Sequence, residues 1–401
     1  MIEVESAEEL ILCNSVKLQK EIISLNNLVG RVLAEPILAK REQPPFDRVA
    51  MDGIAIQFEE SSTKKHKIEA IQRAGQPALT LKDSGNAIEV MTGAMLPIGT
   101  NTVIPYEMFS IEEGTAYINK EYELKEKKNI HFHSSDYDKG KVLLKTGTRL
   151  TSAGVALIAG QGSKEVLVSK FPKIAIISTG DELIEPGNEC ERWQIWRSNP
   201  YGIQAELSGL GILKNEIDFF HLKDNQEEMI CLLEKVLETH QVLILSGGVS
   251  MGKYDFVHSI MSDLGVKKIF HKIKQKPGKP MFFGVGKKSQ NVFGLPGNPV
   301  SALVCMRRYV IPGLSKAMGF ELIKEYAILK QDINFKKDFT LFCSVIVEFN
   351  ENGQQVATSI SNNGSGDFSS LAKSDGFLQL PSRQSVYNKG EAYPLFKWFR
   401  S

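Results

Sequence analysis

Three times between residues 172 and 306 the chain runs through a short β-branched, apolar stretch and passes without a spacer into glycine and small polar residues. The segments are PKIAIISTGDEL (172–183), HQVLILSGGVSMG (240–252) and QNVFGLPGNPVSALVCM (290–306). An unbroken apolar run of four to six residues is the pattern of a strand covered on both faces, and such strands belong to parallel sheets. The intervening PYGIQAELSGLG (200–211) and NQEEMICLLEKVLETH (225–240) have helical patterns. Strand, loop and helix in repetition predict an α/β domain over 170–317, with its binding loops at the carboxyl ends of the strands.

The rest of the 401 residues must fold otherwise, and at roughly 150 residues per domain the chain has room for two to three domains or more. Leu10, Ile11, Val16, Leu18, Ile22 and Leu25 recur at helical spacing and predict a helix within 7–28. From residue 44 short strands with turn punctuation take over: MDGIAIQF, HKIEAIQRAG, AIEVMTGAMLPIGTNTVIPYE and TAYINKEY. A strand and a helix opening near Ser152 and closed by Gly160 and Gly162 follow. The expected fold class is multidomain α/β plus β. Residues 1–43 and 140–169 form two parts of an elongated domain interrupted by an inserted β module at 44–139; the α/β domain at 170–317 has a parallel-rich sheet, and a small β domain occupies 318–401.

Charge narrows the partners. Lys and Arg total 48 against 47 Asp and Glu, a net charge of +1, so no global field would hold this chain on nucleic acid or on an anionic membrane. Any anion has to be bound locally. MIEVESAEEL lacks the basic and apolar regions of a signal peptide, and no apolar run approaches the roughly 18 residues of a membrane span, so a cytoplasmic protein is expected. The five cysteines are odd in number and scattered, which speaks for buried thiols rather than disulfides or a zinc site.

Four constellations carry chemistry. SGGVSMGKYD (246–255) offers Ser246, Gly247, Gly248 and Ser250, whose backbone N–H groups suit phosphate, although a tight strand-to-helix turn has the same composition. LPGNPVSA (295–302) is a proline-stiffened loop at a second strand end, with Pro296, Asn298, Pro299 and Ser301. In KIKQKPGKP (272–280), Lys272, Lys274 and Lys276 would share one face of a strand, with Lys279 across a Pro-Gly turn, either as point charges for an oxyanion or as the guard of a solvated edge. Asp52, Asp136, Asp181, Glu182 and Asp255 stand at loop positions, where carboxylates beside phosphate suit Mg²⁺. His131 and His133 would share a face in a strand, with no third metal ligand evident.

PPFDRVAMDGIAI, VMTGAMLPIGTNTVIPYE, IISTGDEL, LSGGVSMGKYDF, KPGKP and GLPGNPVSALV, in this order over nearly the whole chain, resemble the molybdopterin molybdenumtransferase family, the MoeA-like proteins related to the gephyrin E domain. GSGDFSSLAKSDGF near the carboxyl end is similar to another family segment. The resemblance implies an enzyme of molybdenum cofactor biosynthesis that takes adenylylated molybdopterin and molybdate, cleaves the pyrophosphate bond with Mg²⁺ and releases AMP. It implies a homodimer, an upstream molybdopterin adenylyltransferase and client molybdoenzymes as partners, and no nucleic acid or membrane. By motif it puts functional positions at Asp52, Thr92, Asp136, Glu182, Asp255, Lys276 and Lys279. Pterin and phosphate contacts fall on Ser246, Gly247, Gly248, Ser250, Pro296, Asn298, Pro299, Ser301 and Ser365, and metal carboxylates on Glu182 and Asp255.

The chain departs from the family pattern at several points. NIHFHSSD (129–136) keeps Asn129 and Asp136 but has His131, Ser134 and Ser135 where Arg, Gly and Glu are usual. Lys253 replaces an acidic residue, Val49 a serine, and Gln241 an aspartate. A non-catalytic molybdopterin-binding scaffold and a tungstate-inserting variant are the alternative readings.

Overall fold

A computed structural model describes residues 1–223, 225–248, 257–360, 364 and 366–399, with only the backbone of Val257 and His258. The chain folds into two compact units. One comprises 1–35, 146–151 and 165–401, the other 36–145 and 152–164.

The first unit is built on a six-stranded sheet whose members are β1 (Ile174–Thr179), β2 (Ile217–Leu222), β3 (Val242–Ser246), β4 (Lys267–His271), β5 (Phe282–Val285) and β6 (Asn291–Leu295). Their order is β2-β1-β3-β6-β5-β4, with the first four parallel and β5 and β4 antiparallel to their neighbours. Every residue of β1, β3 and β6 is buried. Alternation along the strands splits their side chains between two cores. Ile174, Ile176, Val242 and Ile244 join Ile203 and Leu207 of helix α1 (Asn199–Gly209). Ala175, Ile177, Leu243 and Leu245 join Met229, Leu233 and Val236 of α2 (Gln226–Thr239). Each fully buried Leu, Ile or Phe contributes about 1.5–3 kcal/mol to burial, which fixes both faces of the sheet. The α2 start is set locally, since Asn225 Oδ1 accepts from Glu227 N and Glu228 N at 3.0 and 3.2 Å.

Register then determines where the loops emerge. Ser178 pairs with Ser246 and Ser246 with Leu295, so β1, β3 and β6 end on one level with their following loops side by side. This parallel-rich α/β architecture is the one expected from the apolar runs.

Two local expectations fail. The helix predicted within 7–28 spans only Val4–Cys13, and Lys20–Ser24 is instead a strand paired antiparallel with Glu165–Ser169. Asn14 ends the helix, its Nδ2 donating to Leu10 O at 2.8 Å, and the remaining apolar spacing serves a two-stranded ladder. The strand predicted to align Lys272, Lys274 and Lys276 stops at His271. Lys272 adopts φ +72°, and only Gln275–Lys276 returns to strand.

The carboxyl-terminal part of this unit is the expected β domain. Thr340–Phe349 pairs with Gln355–Ser359 on one side and Gly376–Leu380 on the other, and Glu325–Leu329 with Ala392–Lys397 completes a ring of five strands. Gln275–Lys276 adds to its edge, parallel to Thr340–Leu341. All five cysteines are unpaired, but burial holds only for Cys305; Cys13 and Cys231 are exposed.

The second unit is a six-stranded, mostly antiparallel sheet in the order 102–105, 53–56, 87–90, 65–72, 115–118, 109–112. Its cores gather Val49, Ala55, Ile88, Val90 and Val103 on one side and Ile54, Ile56, Ala87 and Ile104 on the other. Gly53 lies so close to the next strand that a Cβ there would stand 1.9 Å from Ile104 O.

Candidate functional site

At the ends of β1, β3 and β6 the backbone itself forms the surface. Gly247 has φ +93°, and an added Cβ would lie 2.9 Å from Thr179 Oγ1 and 3.0 Å from Thr179 O, so only glycine fits between the β1 and β3 loops. Gly247 N donates to Leu295 O at 3.3 Å, and a Cβ on Gly297 would touch Gly247 Cα at 3.7 Å. The three loops are therefore in mutual contact. Asn199, at the start of α1, fastens two of them, with its Nδ2 donating to Ser246 Oγ at 2.7 Å and to Gly297 O at 2.8 Å. Gly297 O can only accept, so the amide orientation is fixed. Sequence reasoning missed Asn199; the sole signal was an Asn immediately before a helical pattern.

Gly247, Gly248, Pro296 and Asn298 lie on these loops, Ser246 ends β3, and Pro299 opens the helix Pro299–Cys305, in which Ser301 is buried. The lysine segment comes to the same helix. Gly278, at φ +87°, leaves no room for a Cβ, which would meet Cys305 Sγ at 2.5 Å and Ser301 O at 3.5 Å. Buried Gln275 fixes the turn by donating from Nε2 to Pro277 O and Gly278 O at 3.1 and 3.2 Å, while Tyr309 Oη donates to Gln275 Oε1. Lys276 and Lys279 stand exposed on either side of that turn. Burial pushes the Cys305 thiol up to about 12, which leaves it a packing residue rather than a nucleophile.

Glu182 is exposed after β1, its carboxylate folded over Gly180, where a Cβ would meet Oε2 at 2.4 Å. His221 of β2 lies beside this loop with Nδ1 3.0 Å from Ser178 Oγ. Burial, and then the charge of Arg197, hold its imidazole below the ordinary value, against a smaller upward pull from Asp181 and Glu182.

Asp52, Thr92 and Asp136 belong to the other unit. Asp52 Oδ1 accepts from Thr92 N at 2.6 Å, and that backbone bond, with a side-chain bond from Thr92, lowers the Asp52 carboxyl below its usual range. Nearby, Arg48–Val49 pairs with Ile130–His131, bringing Arg48 opposite His131. An Arg48 guanidinium nitrogen lies 2.9 Å from His131 Nδ1, and His131 Nε2 lies 2.8 Å from Asp136 Oδ1. A guanidinium cannot accept, so Nδ1 accepts from Arg48 and Nε2–H donates to Asp136. His133 does not share a strand face with His131, because the strand ends at His131; its backbone N donates to Asp47 Oδ1 at 2.8 Å.

The departures acquire places. Val49 is 1% exposed and packs in the sheet core. Gln241 sits at the start of β3, opposite the loop end, and its Oε1 accepts from Lys173 N at 2.8 Å. Ser250, Lys253, Asp255 and Ser365 lie outside the described residues. Among the described residues no group of three or more His, Cys, Asp or Glu side chains could hold a metal ion. Of the two carboxylates expected to hold a metal, Glu182 is described and exposed, and Asp255 is not among the described residues. No helix is long and apolar enough to cross a membrane among the described residues.

Comparison with known proteins agrees with this layout. Residues 2–162 match the MoeA N-terminal region (domain I and II), 175–316 a probable molybdopterin binding domain, and 326–396 the MoeA C-terminal region (domain IV). The chain is 38% identical over 401 residues to a molybdopterin molybdenumtransferase of Synechocystis, covering 99% of this chain and 100% of the relative. It is 33% identical to the Haemophilus influenzae protein of the same name over 94% of this chain and 93% of that one. The crystal structure of a molybdopterin biosynthesis moeA protein from Pyrococcus horikoshii OT3 superposes with a TM-score of 0.83 at 30% identity, over 99% of this chain and 100% of that one. Matches to all three family regions and similarity along the full length place the chain in the molybdopterin molybdenumtransferase family, enzymes of molybdenum cofactor biosynthesis.

Proposed function

We propose that the protein inserts molybdate into adenylylated molybdopterin, cleaving the phosphoanhydride with Mg²⁺ and releasing AMP. The observation that carries this reading is the contact of the 246–248 and 296–299 loops, fastened by Asn199, with the Lys276–Lys279 turn packed on the helix that follows. Such an arrangement suits a ligand with several negative charges, because glycine backbone admits phosphate closely and lysines offset the repulsion between it and a second oxyanion.

In this reading Ser246, Gly247, Gly248, Ser250, Pro296, Asn298, Pro299, Ser301 and Ser365 hold the pterin and its phosphates. Lys276 and Lys279 bind the oxyanion. Glu182 and Asp255 would hold Mg²⁺, which when bound neutralises charge on the pyrophosphate. Asp52, held ionised by Thr92, and Asp136, oriented by His131, supply carboxylates to the reacting groups, and the protein works as a cytoplasmic homodimer. Burial of Val49 in the core, and retention by His131 of a donor to Asp136 where Arg is usual, favour catalysis over the scaffold reading.

The test is to incubate the protein with adenylylated molybdopterin and Mg²⁺, with and without molybdate or tungstate, while following AMP. Oxyanion-dependent release is expected. Equal release without oxyanion rules out the transferase mechanism, and no release under any condition returns the scaffold.

A further inference from the structure

The lysine turn leans on the carboxyl-terminal ring of strands. Gln275 pairs with Thr340 and Lys276 with Leu341, and Thr340 N donates to Lys274 O at 3.0 Å. This register runs the preceding segment, Phe335 to Phe339, alongside the lysines. Lys276 Nζ stands 6.0 Å from the Phe335 ring centroid and Lys279 Nζ 5.5 Å from that of Phe339. Asp338, on the same segment, pairs with Lys274 at 2.7 Å.

The three lysines are thus held in two chemically different ways. Lys274 is neutralised by carboxylates, Asp338 at 2.7 Å and Glu3 at 3.4 Å, and the Asp338 bond foremost raises its ammonium above the ordinary range. Its charge is spent within the fold. Lys276 and Lys279 take part in no ion pair among the described residues. An aromatic face attracts an ammonium through its quadrupole without cancelling the charge and without presenting an anion that would compete for the site. It also restricts a long stem that would otherwise sweep through many rotamers.

We propose that Phe335 and Phe339 are positioning residues: a shelf from the carboxyl-terminal domain that holds the Lys276 and Lys279 ammonium groups without a competing anion and directs them at the oxyanion. This rests on the proposed function, in which those two lysines meet molybdate.

The test compares Phe335→Leu/Phe339→Leu with Phe335→Trp/Phe339→Trp in the full chain, since Trp has the stronger face and Leu keeps only apolar contact. Two readouts are needed. The first is the molybdate concentration giving half-maximal AMP release, expected to rise about threefold per ring and about tenfold in the double Leu variant, with a smaller fall in turnover at saturation and recovery in the Trp variant. The second is the NMR shift of the lysine ε-methylene groups, assigned through Lys276→Arg and Lys279→Arg. Ring currents should move both upfield in the parent and Trp chains and release them in the Leu chain. Half-saturation unchanged by Leu, or weakened equally by Leu and Trp, overturns the shelf, as do ε-methylene shifts that ignore the rings. If instead Lys276→Ala/Lys279→Ala leaves the molybdate dependence untouched, the functional reading of the lysines fails, while the ring-current shifts still decide whether the shelf holds them.

Discussion

The loops at the ends of β1, β3 and β6 and the segments around Asp52 and Asp136 solve the same problem with different material. In the first region the surface is backbone: Gly247 N donates to Leu295 O, and a single side chain, Asn199, fastens two loops. In the second the work is done by side chains, with Asp52 fixed by Thr92 and Asp136 reached through His131 and Arg48. At Gly247 this backbone admits no added atom, whereas a Cβ on Gly297 would make only ordinary contact at 3.7 Å. A side-chain relay tolerates exchange of a member, provided the replacement offers the same donors and acceptors. His131, which stands where Arg is usual, gives Asp136 a donor.

The sharpest way to break this contrast is Gly247→Ala. The methyl would need φ +93° and would press on Thr179 within 3.0 Å, backbone included. Strain of about 1–3 kcal/mol is expected, read as a lowered Tm. Because the loop must shift, turnover should fall roughly a hundredfold, as for a misplacement of about 1 Å in a positioned site. Ala at 247 with normal AMP release would show that the backbone contact between the loops does not matter.

The relay should respond in a graded way. His131→Phe removes the donor to Asp136 and the acceptor for Arg48, and a loss of about tenfold in turnover is expected, equivalent to about 1.4 kcal/mol. His131→Gln can present Oε1 to Arg48 and Nε2 to Asp136, and should stay within about threefold of the parent. Steady-state AMP release measures both. Equal losses in the two variants would mean that ring shape, not the donor–acceptor sequence, is what Asp136 needs.

The same contrast explains what was legible in the sequence. The apolar runs of β1, β3 and β6 announce buried parallel strands, and glycine directly after a strand announces a loop where backbone is exposed, so both the sheet and its loops could be read from local pattern. The carboxyl-terminal strands were legible for the same reason. Helical spacing in 7–28 misled because Ile22 and its neighbours satisfy either period, and the partner strand at 165–169 lies about 140 residues away. Lys272–Lys276 misled because the left-handed Lys272 and the buried Gln275 interrupt the alternation. Asn199 carries only its place before a helical pattern, and His131 with Arg48 and the Phe335–Phe339 shelf carry no local signature at all. Their roles arise from pairings between residues 47 to 98 positions apart in the first two cases and about 60 in the third.

The smallest expected effect sharpens the loop side of the comparison through His221, which bonds Ser178 in the row that leads to Ser246 and Leu295. Burial and Arg197 hold its folded-state pKa below the ordinary 6.5. The unfolded chain therefore binds this proton more readily than the folded one. The resulting stability is complete above about pH 6.5 and declines as pH falls through 6.5 toward the folded value. Tm should accordingly drop between pH 7.5 and 5.5, and His221→Gln, which cannot titrate, should show a shallower slope by roughly 1–3 °C over that span. A polyanion bound at the adjoining loops would oppose the Arg197 charge and raise the His221 pKa toward the ordinary value. Pyrophosphate, a probe with the charge but not the pterin, should then flatten the parent's slope and leave the variant's unchanged. Pyrophosphate acting alike on both chains would place the anion beyond the reach of His221 and remove the β1 loop from the cradle.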